Sequence, residues 1–209
     1  MDKSDENECN IIIIDGSSYR KEQPPAHPNE NQHLNIRISF DIFKISKFLE
    51  VGNSFNIKFL ISITWYDNRI KFADLKDNIF KNVIGSNFKQ LLWTPPLIFN
   101  NSEDTTMLSI NRDADQPIVN MFVEKEGHFE VADPSHLHEA YFYKGFENPL
   151  VLSTEYNLVL HCNYKLQDYP FDTQVCNIEV SIVLKYGDYY KICNNYHIMI
   201  SVSYFPCIS

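Results

Sequence analysis

Cysteine, proline and aromatic residues occur together in one short segment of this chain. Residues 161–177, HCNYKLQDYPFDTQVCN, hold Cys162 and Cys176 with thirteen residues between them. A disulfide joining these cysteines would remove unfolded-state entropy worth roughly 3 kcal/mol in the loop-closure treatment. It would require an oxidising compartment. The aromatic–proline bond Tyr169–Pro170 stiffens the middle of the segment, so the sequence predicts a stiff closed loop with an aromatic tip.

The chain contains three further cysteines. Cys193 and Cys207 could form a second pair, which would leave Cys9 without a partner. Cysteine counting alone therefore leaves the full pattern of pairing open.

Sequence signs of enzyme chemistry are weak. The histidines of HLHE, residues 136–139, alternate at i and i+2 and could share a zinc ion with His128 or His161. They lack the helical His-Glu-x-x-His arrangement of a metalloprotease, and we favour a polar loop. The chain also has no Gly-x-Ser-x-Gly nucleophile elbow and no glycine-rich phosphate loop. We therefore expect no enzyme activity, no catalytic residue, no metal site and no cofactor.

Composition favours one globular domain that does not bind nucleic acid. The 209 residues are 44% hydrophobic and 14% aromatic, enough for a sizeable core. The formal charge is −9, and no stripe of lysine and arginine offers contacts to phosphates. The acidic first residues are expected to form a solvated tail.

Hydrophobic residues alternate along several segments, as in half-buried β-strands. Residues 34–43 are predicted to place one set of apolar side chains on a single face: Leu34, Ile36, Ile38, Phe40 and Ile42. A second strand of about a dozen residues carries Phe55, Ile57, Phe59, Ile61 and Ile63. Further strands are predicted at 106–111, 117–123 and 127–132, and on both sides of the cysteine segment. A short helix is possible between 74 and 92, and the pattern indicates an antiparallel sandwich or barrel.

The cysteine segment resembles the signature loop of the Cys-loop receptors, the pentameric neurotransmitter-gated ion channels. The spacing of Cys162 and Cys176 and the enclosed aromatic-Pro-Phe-Asp agree with that signature. ITWYDNRIKF resembles the family's Trp-x-Asp-x-Arg strand end, carried by Trp65, Asp67 and Arg69. For this aspartate and arginine we favour a structural role, as an ion pair or a turn cap.

A second tryptophan motif also resembles the family. LWTPPLIFNN is similar to the family's Trp-x-Pro-Asp followed by an asparagine, carried by Trp93, Pro95 and Asn101. Pro96 stands where the aspartate is usual, which removes a side-chain acceptor and a backbone N–H. YFYKGFENPLVLSTEYNLVLHC further resembles invertebrate, arthropod-like members.

The resemblance covers about residues 34–181 and implies a fold and a mechanism. The implied fold is the antiparallel β-sandwich of the extracellular ligand-binding domain, incomplete at the C-terminus, with 1–33 as a polar N-terminal segment and 182–209 as a divergent tail. Five such domains, as homomer or heteromer, would bind a small transmitter-like ligand between neighbours. The Cys162–Cys176 ring would pass the binding movement to a pore through four residues at its tip: Tyr169, Pro170, Phe171 and Asp172.

The resemblance also gives a limited indication of the ligand. Leu60 and Ser62 occupy positions on the complementary face where amino-acid-gated members carry an aromatic residue and an arginine. An arginine would bind a carboxylate through a bidentate pair. Its absence weakens the case for glutamate, glycine or GABA on this face.

Membrane attachment is not expected from the residues given. The N-terminus lacks the pattern of a secretory signal, and no run of about 18 apolar residues could span a bilayer as a helix. A plasma-membrane location, on the extracellular side, would therefore depend on segments that this sequence lacks. Two interpretations remain open: part of a channel subunit, or a soluble, non-assembling binding module that acts as a decoy or a dominant-negative fragment.

Overall fold

The chain folds as an all-β protein. A computed structural model describes residues 11–26, 34–49, 52–103, 119–131, 141–165, 167, 173–186 and 189–203. The strands of these residues are β1 (Ile12–Ile14), β2 (Ile36–Leu49), β3 (Ser54–Trp65), β4 (Ile70–Ala73), β5 (Leu97–Phe99), β6 (Val119–Val123), β7 (Phe129–Val131), β8 (Tyr141–Lys144), β9 (Leu150–His161), β10 (Thr173–Tyr186) and β11 (Tyr189–Ser203). A 3-10 turn at Ile79–Lys81 and the single turn of α1 (Ser86–Lys89) are the helical elements of the same residues.

The strands form antiparallel sheets, which confirms the predicted class of an all-β sandwich. Across the described residues the strand orders are β1-β4-β8-β7, β11-β10-β5 and β2-β3-β9-β6. β10 and β11 pair from Thr173 opposite Ser203 to Tyr186 opposite Tyr189, with one register shift after Ile182. Long strands of this kind leave few residues for helices, as the β-branched and aromatic composition predicts.

Two compact units make up the chain. The first unit comprises Met1–Ser39, Ile61–Thr94 and Gln116–Thr154, and the second unit comprises Phe40–Leu60, Pro95–Asp115 and Glu155–Ser209. β2, β3 and β9 contribute residues to both. The division of the chain at residues 33 and 181, expected from the resemblance, stays a prediction.

Strand β3 follows the predicted period of two. Every second residue from Phe55 to Trp65 is buried, and the intervening residues are half-buried. Its length of 12 residues also agrees with the prediction. Because successive side chains of a strand point to opposite faces, the apolar set lies on one face.

The prediction for strand β2 holds only in part. Ile36 is buried and Ile38 and Phe40 are half-buried, but Ile42 is 41% exposed, so its placement on the buried face was wrong. Residues 41–44 are all exposed, and β2 lies at the edge of its sheet. Alternation in the sequence predicts which residues share a face, but not where the neighbouring layer that covers this face ends.

An aromatic cluster forms the core of the second unit. The ring of Tyr156 lies 5.8 Å from that of Phe59 and 5.1 Å from that of Phe99, and the Phe59 and Phe99 rings are 5.7 Å apart. Such offset and edge-to-face pairs add to the stabilisation from burial. In β9, Tyr156 and Leu160 are buried, and so is Cys162 directly after the strand.

Several predicted elements are present, but they begin or end at other residues than expected. The strands expected at 117–123 and 127–132 are β6 and β7, and the short helix expected between 74 and 92 corresponds to the 3-10 turn and α1. The strand expected at 106–111 lies outside the described residues, as do the histidines of residues 136–139.

Candidate functional site

Asp67 and Arg69 form a bidentate ion pair directly after strand β3. The guanidinium donates from Nε to Oδ1 at 2.8 Å and from Nη2 to Oδ2 at 2.7 Å. The backbone N–H of Arg69 also donates to Oδ1, at 3.0 Å, so the carboxylate caps the turn as well. The Asp67 side chain is fully buried and that of Arg69 is 22% exposed. A buried carboxylate needs such compensation, because removing its water is costly.

Tyr19 joins this pair from a distant part of the sequence. Its hydroxyl donates to Asp67 Oδ2 at 3.2 Å and accepts from the backbone N–H of Trp93 at 2.8 Å. The Arg69 guanidinium lies 4.4 Å from the centre of the tyrosine ring, within the range of a cation–π contact. Burial raises the pKa of the Tyr19 hydroxyl, and the negative charge of Asp67 raises it further. No sequence motif pointed to Tyr19, because its partners lie 48 and 74 positions away.

The two motif tryptophans pack against each other. The rings of Trp65 and Trp93 meet edge to face with their centres 6.1 Å apart, and both side chains are buried. Trp65, Asp67, Arg69 and Trp93 therefore come together in the first unit. Trp65 Nε1 has no hydrogen-bond partner among the described residues.

The segment after Trp93 becomes a short strand in the second unit. Pro95 is buried and Pro96 is half-buried. β5 follows, and Leu97 and Phe99 pair with Ile182 and Val180 of β10. The second motif therefore pairs with β10, the strand that contains Cys176.

The carboxamide of Asn101 ties this segment to two strands. Its Nδ2 donates to the carbonyl oxygens of His161 at 3.1 Å and Asn177 at 2.7 Å, and its Oδ1 accepts from the N–H of Glu179 at 3.1 Å. The Asn101 carbonyl accepts from the N–H of His161 at 2.7 Å. His161 and Asn177 are the residues immediately outside Cys162 and Cys176.

Cys162 and Cys176 form a disulfide, with their Cα atoms 5.3 Å apart. Both cysteines are buried. The N–H of Cys162 donates to the carbonyl of Asn53 at 2.7 Å, which fixes the start of the ring against the turn before β3.

A pair of hydrogen bonds also joins the two sides of the loop that the disulfide closes. The buried Gln174 accepts from the N–H of Lys165 at 2.9 Å and donates to its carbonyl at 2.8 Å. Tyr164 donates to the carbonyl of Ser54 at 2.8 Å. The base of the ring is thus held by side chains that the sequence motif did not single out. The four tip residues 169–172 lie outside the described residues.

The two predicted complementary-face positions lie on strand β3. Leu60 and Ser62 are both half-buried. Ser62 Oγ lies 2.9 Å from Ser153 Oγ of β9, a hydrogen bond in which either oxygen can be the donor. Ser153 was not predicted, because only the pairing of β3 with β9 brings these two hydroxyls together.

The residues that the structure describes contain no cluster of three or more histidine, cysteine, aspartate or glutamate side chains able to hold a metal ion. His128 and His161, suggested above as zinc ligands, are both exposed. Among these same residues, no helix is long and apolar enough to cross a bilayer.

Comparison with known proteins agrees with this arrangement. Residues 12–140 match the family described as neurotransmitter-gated ion-channel ligand binding domain. Ligand-gated ion channel 50 of Caenorhabditis elegans is 25% identical over 150 residues, which cover 71% of this chain and 25% of the relative. The glutamate-gated chloride channel of Drosophila melanogaster is 22% identical over 174 residues, which cover 78% of this chain and 32% of the relative.

The family match includes more than half of the chain and both tryptophan motifs. The chain spans a quarter to a third of the length of these two relatives. Antiparallel sheets, the paired tryptophan motifs and the disulfide ring agree with the match. This chain belongs to the family of neurotransmitter-gated ion-channel ligand-binding domains.

Proposed function

We propose that this chain is the ligand-binding region of a ligand-gated ion-channel subunit. It binds a small transmitter-like ligand where two neighbouring subunits meet. The Cys162–Cys176 ring then passes the resulting movement to a pore. In this role the domain faces the outside of the plasma membrane, and a disulfide is the kind of cross-link that persists there.

The observation that carries this proposal is the position of Asn101. The residue ends the motif that starts at Trp93, and its carboxamide binds the backbone next to both cysteines, at His161 and Asn177. A displacement of the motif segment would therefore act directly on both strands that enter the ring. Coupling between sites needs a connected element of this kind, whose arrangement the ligand can bias.

The rigidity of the ring base supports the same role. The disulfide, the paired hydrogen bonds of Gln174 with Lys165 and the bond of Tyr164 to Ser54 hold the base at three places. A base fixed in this way transmits a displacement to the tip, whereas a loose base would absorb it. The tip residues Tyr169, Pro170, Phe171 and Asp172 remain the proposed contact with the pore.

We propose that the ligand binds without an arginine from position 60 or 62, because these residues are Leu60 and Ser62. The Drosophila relative is named as a glutamate-gated channel, and a carboxylate ligand favours a bidentate arginine. Here Ser62 offers a hydroxyl that is shared with Ser153, and Leu60 offers an apolar surface. Hydroxyl and apolar contacts suit a small amine or a neutral group better than a carboxylate at these two positions.

A chimeric channel tests this proposal. The 209-residue chain is fused to the pore domain of the glutamate-gated chloride channel and expressed in oocytes, and currents are recorded with a panel of amines and amino acids. We expect a current with at least one small ligand. Asn101→Ala is expected to reduce the maximal current, whereas Asn100→Ala, which removes only the bond to Ser181, should change it little.

The alternative of a non-assembling binding module predicts another outcome. In that case the chimera would reach the surface without forming pentamers and would give no current, while the chain would still bind a ligand. Surface labelling and native-mass measurements separate this result from a failure to fold.

A further inference from the structure

The first unit contains a cavity between β1 and the α1 region. Its volume is about 610 Å³, within the range of roughly 300–1,000 Å³ that is common for small-molecule sites. β1 and the turn that follows form one side, through Ile13, Ile14 and Gly16, and Phe88 and Leu91 of the α1 region form another. These walls are almost entirely apolar.

Two cationic residues and one anionic residue also line the cavity: Arg20, Lys21 and Glu22. Lys21 donates from Nζ to the carbonyl of Gln90 at 2.7 Å, which holds its ammonium next to the α1 region. The ammonium keeps two further N–H groups for a ligand. A net positive lining is notable in a chain whose formal charge is −9.

The walls of the cavity are held in place before any ligand binds. β1 pairs with β4 along its whole length, and the N–H of Ala73 donates to the carbonyl of Ile11 at 2.8 Å. Arg69 donates from Nη1 to the carbonyls of Arg20 at 3.0 Å and Gln23 at 2.9 Å. A site whose backbone is already fixed loses little conformational entropy on binding.

We infer that this cavity binds a small amphiphilic anion, a molecule with an apolar body and one carboxylate or sulfonate group. The apolar body lies against Ile13, Phe88 and Leu91, and the anionic group lies against Arg20 and Lys21. Burial of the apolar part supplies most of the affinity, and the charge-assisted hydrogen bonds select an anion over a neutral molecule of the same length.

The cavity also touches the network around the first motif. Tyr19 lines it, and the hydroxyl of the same residue holds the backbone N–H of Trp93 and the carboxylate of Asp67. An occupant in van der Waals contact with the tyrosine ring therefore alters the surroundings of Trp65 and Trp93. The chain has two tryptophans, and both are buried here, so their emission reports on the cavity.

Octanoate and octanol are matched probes, because they share a chain length and differ in charge. Each is titrated into the 209-residue chain by calorimetry and by tryptophan emission. We expect saturable one-site binding of octanoate, and at least tenfold weaker binding of octanol. The double variant Arg20→Gln with Lys21→Gln is expected to weaken octanoate at least tenfold and to leave octanol within twofold.

Two further variants test the location. Gly16 lines the cavity, and a Cβ at this position has no atom within 4 Å. Gly16→Phe therefore adds a bulky ring at the cavity wall with no clash at its Cβ, and it should weaken octanoate at least tenfold. Leu91→Asp should do the same. Val83→Asp is the matched control, because Val83 is 48% and Leu91 is 55% exposed and Val83 does not line the cavity.

Circular dichroism confirms that each variant is folded before it is titrated. The inference is overturned if the wild-type chain shows no saturable octanoate binding at millimolar concentration. It is also overturned if octanol binds as tightly as octanoate, or if Gly16→Phe and Leu91→Asp bind octanoate no more weakly than Val83→Asp. None of these measurements depends on channel activity.

Discussion

The side chain of Asn101 donates a 2.7 Å hydrogen bond to the carbonyl oxygen of Asn177, the residue directly after Cys176. The same carboxamide reaches His161, directly before Cys162, and the N–H of Glu179. One side chain therefore fixes both strands that enter the disulfide ring, from a segment 60 to 78 positions away.

Replacing Asn101 by alanine should lower the free energy of unfolding by about 2 kcal/mol or more, because three backbone groups lose a partner. Urea unfolding measures the change. Asn100→Ala is the control, since it breaks one hydrogen bond, to Ser181, and should cost about 1 kcal/mol. An equal loss of unfolding free energy in the two variants would contradict the conclusion that Asn101 fixes both strands of the ring.

Arg69→Gln should destabilise the first unit by about 3–5 kcal/mol, because it leaves the buried carboxylate of Asp67 without its cation. The control is Lys58→Gln in the pair with Glu155, whose side chains are 44% and 31% exposed. An exposed pair of this kind contributes about 1 kcal/mol or less. Thermal unfolding compares the variants, and a loss for Arg69→Gln no larger than that for Lys58→Gln would argue against the proposed role of the pair.

Alkaline pH should destabilise the fold through Tyr156. Burial raises the pKa of this hydroxyl from 10.0 to about 12. The unfolded chain therefore loses the tyrosine proton at a lower pH than the folded chain, and stability falls as the pH rises from 10 to 12. The slope from this group is about 1.4 kcal/mol per pH unit.

Urea unfolding between pH 9 and pH 12 tests the contribution of Tyr156. Tyr156→Phe keeps the ring contacts with Phe59 and Phe99 and removes the titrating group. We expect a shallower loss of stability in this variant. Identical pH profiles for the variant and the wild-type chain would show that Tyr156 does not contribute.

Gly145→Ala should destabilise the turn after β8. A Cβ at this position would collide with the carbonyl oxygen of Asp67 and would lie 2.8 Å from that of Ile70. Both contacts are with backbone, which cannot rotate away, so the cost is about 1–3 kcal/mol. Gly52→Ala is the control, because its closest neighbour would be the Ser54 hydroxyl at 3.4 Å. A melting temperature unchanged in Gly145→Ala would contradict this close approach.

The sequence predicted the features that depend on neighbouring residues. The alternation from Phe55 to Trp65 specifies a strand with one apolar face, because side chains of a strand alternate with a period of two. The resemblance that rests on Trp65, Trp93 and the cysteine ring pointed to the family, and the match over residues 12–140 confirmed it.

Contacts between residues far apart in the chain could not be predicted from local pattern. Tyr19 binds the N–H of Trp93, and Ser62 binds Ser153, 74 and 91 positions apart. Gln174 closes the base of the ring, and Ile42 proves exposed at a sheet edge. Local pattern carries no information on these contacts, because strand pairing and the limits of each layer come from the packing of the whole chain. Local pattern therefore specifies the fold class and the motifs, whereas the partners of these motif residues follow from the packing of the folded chain.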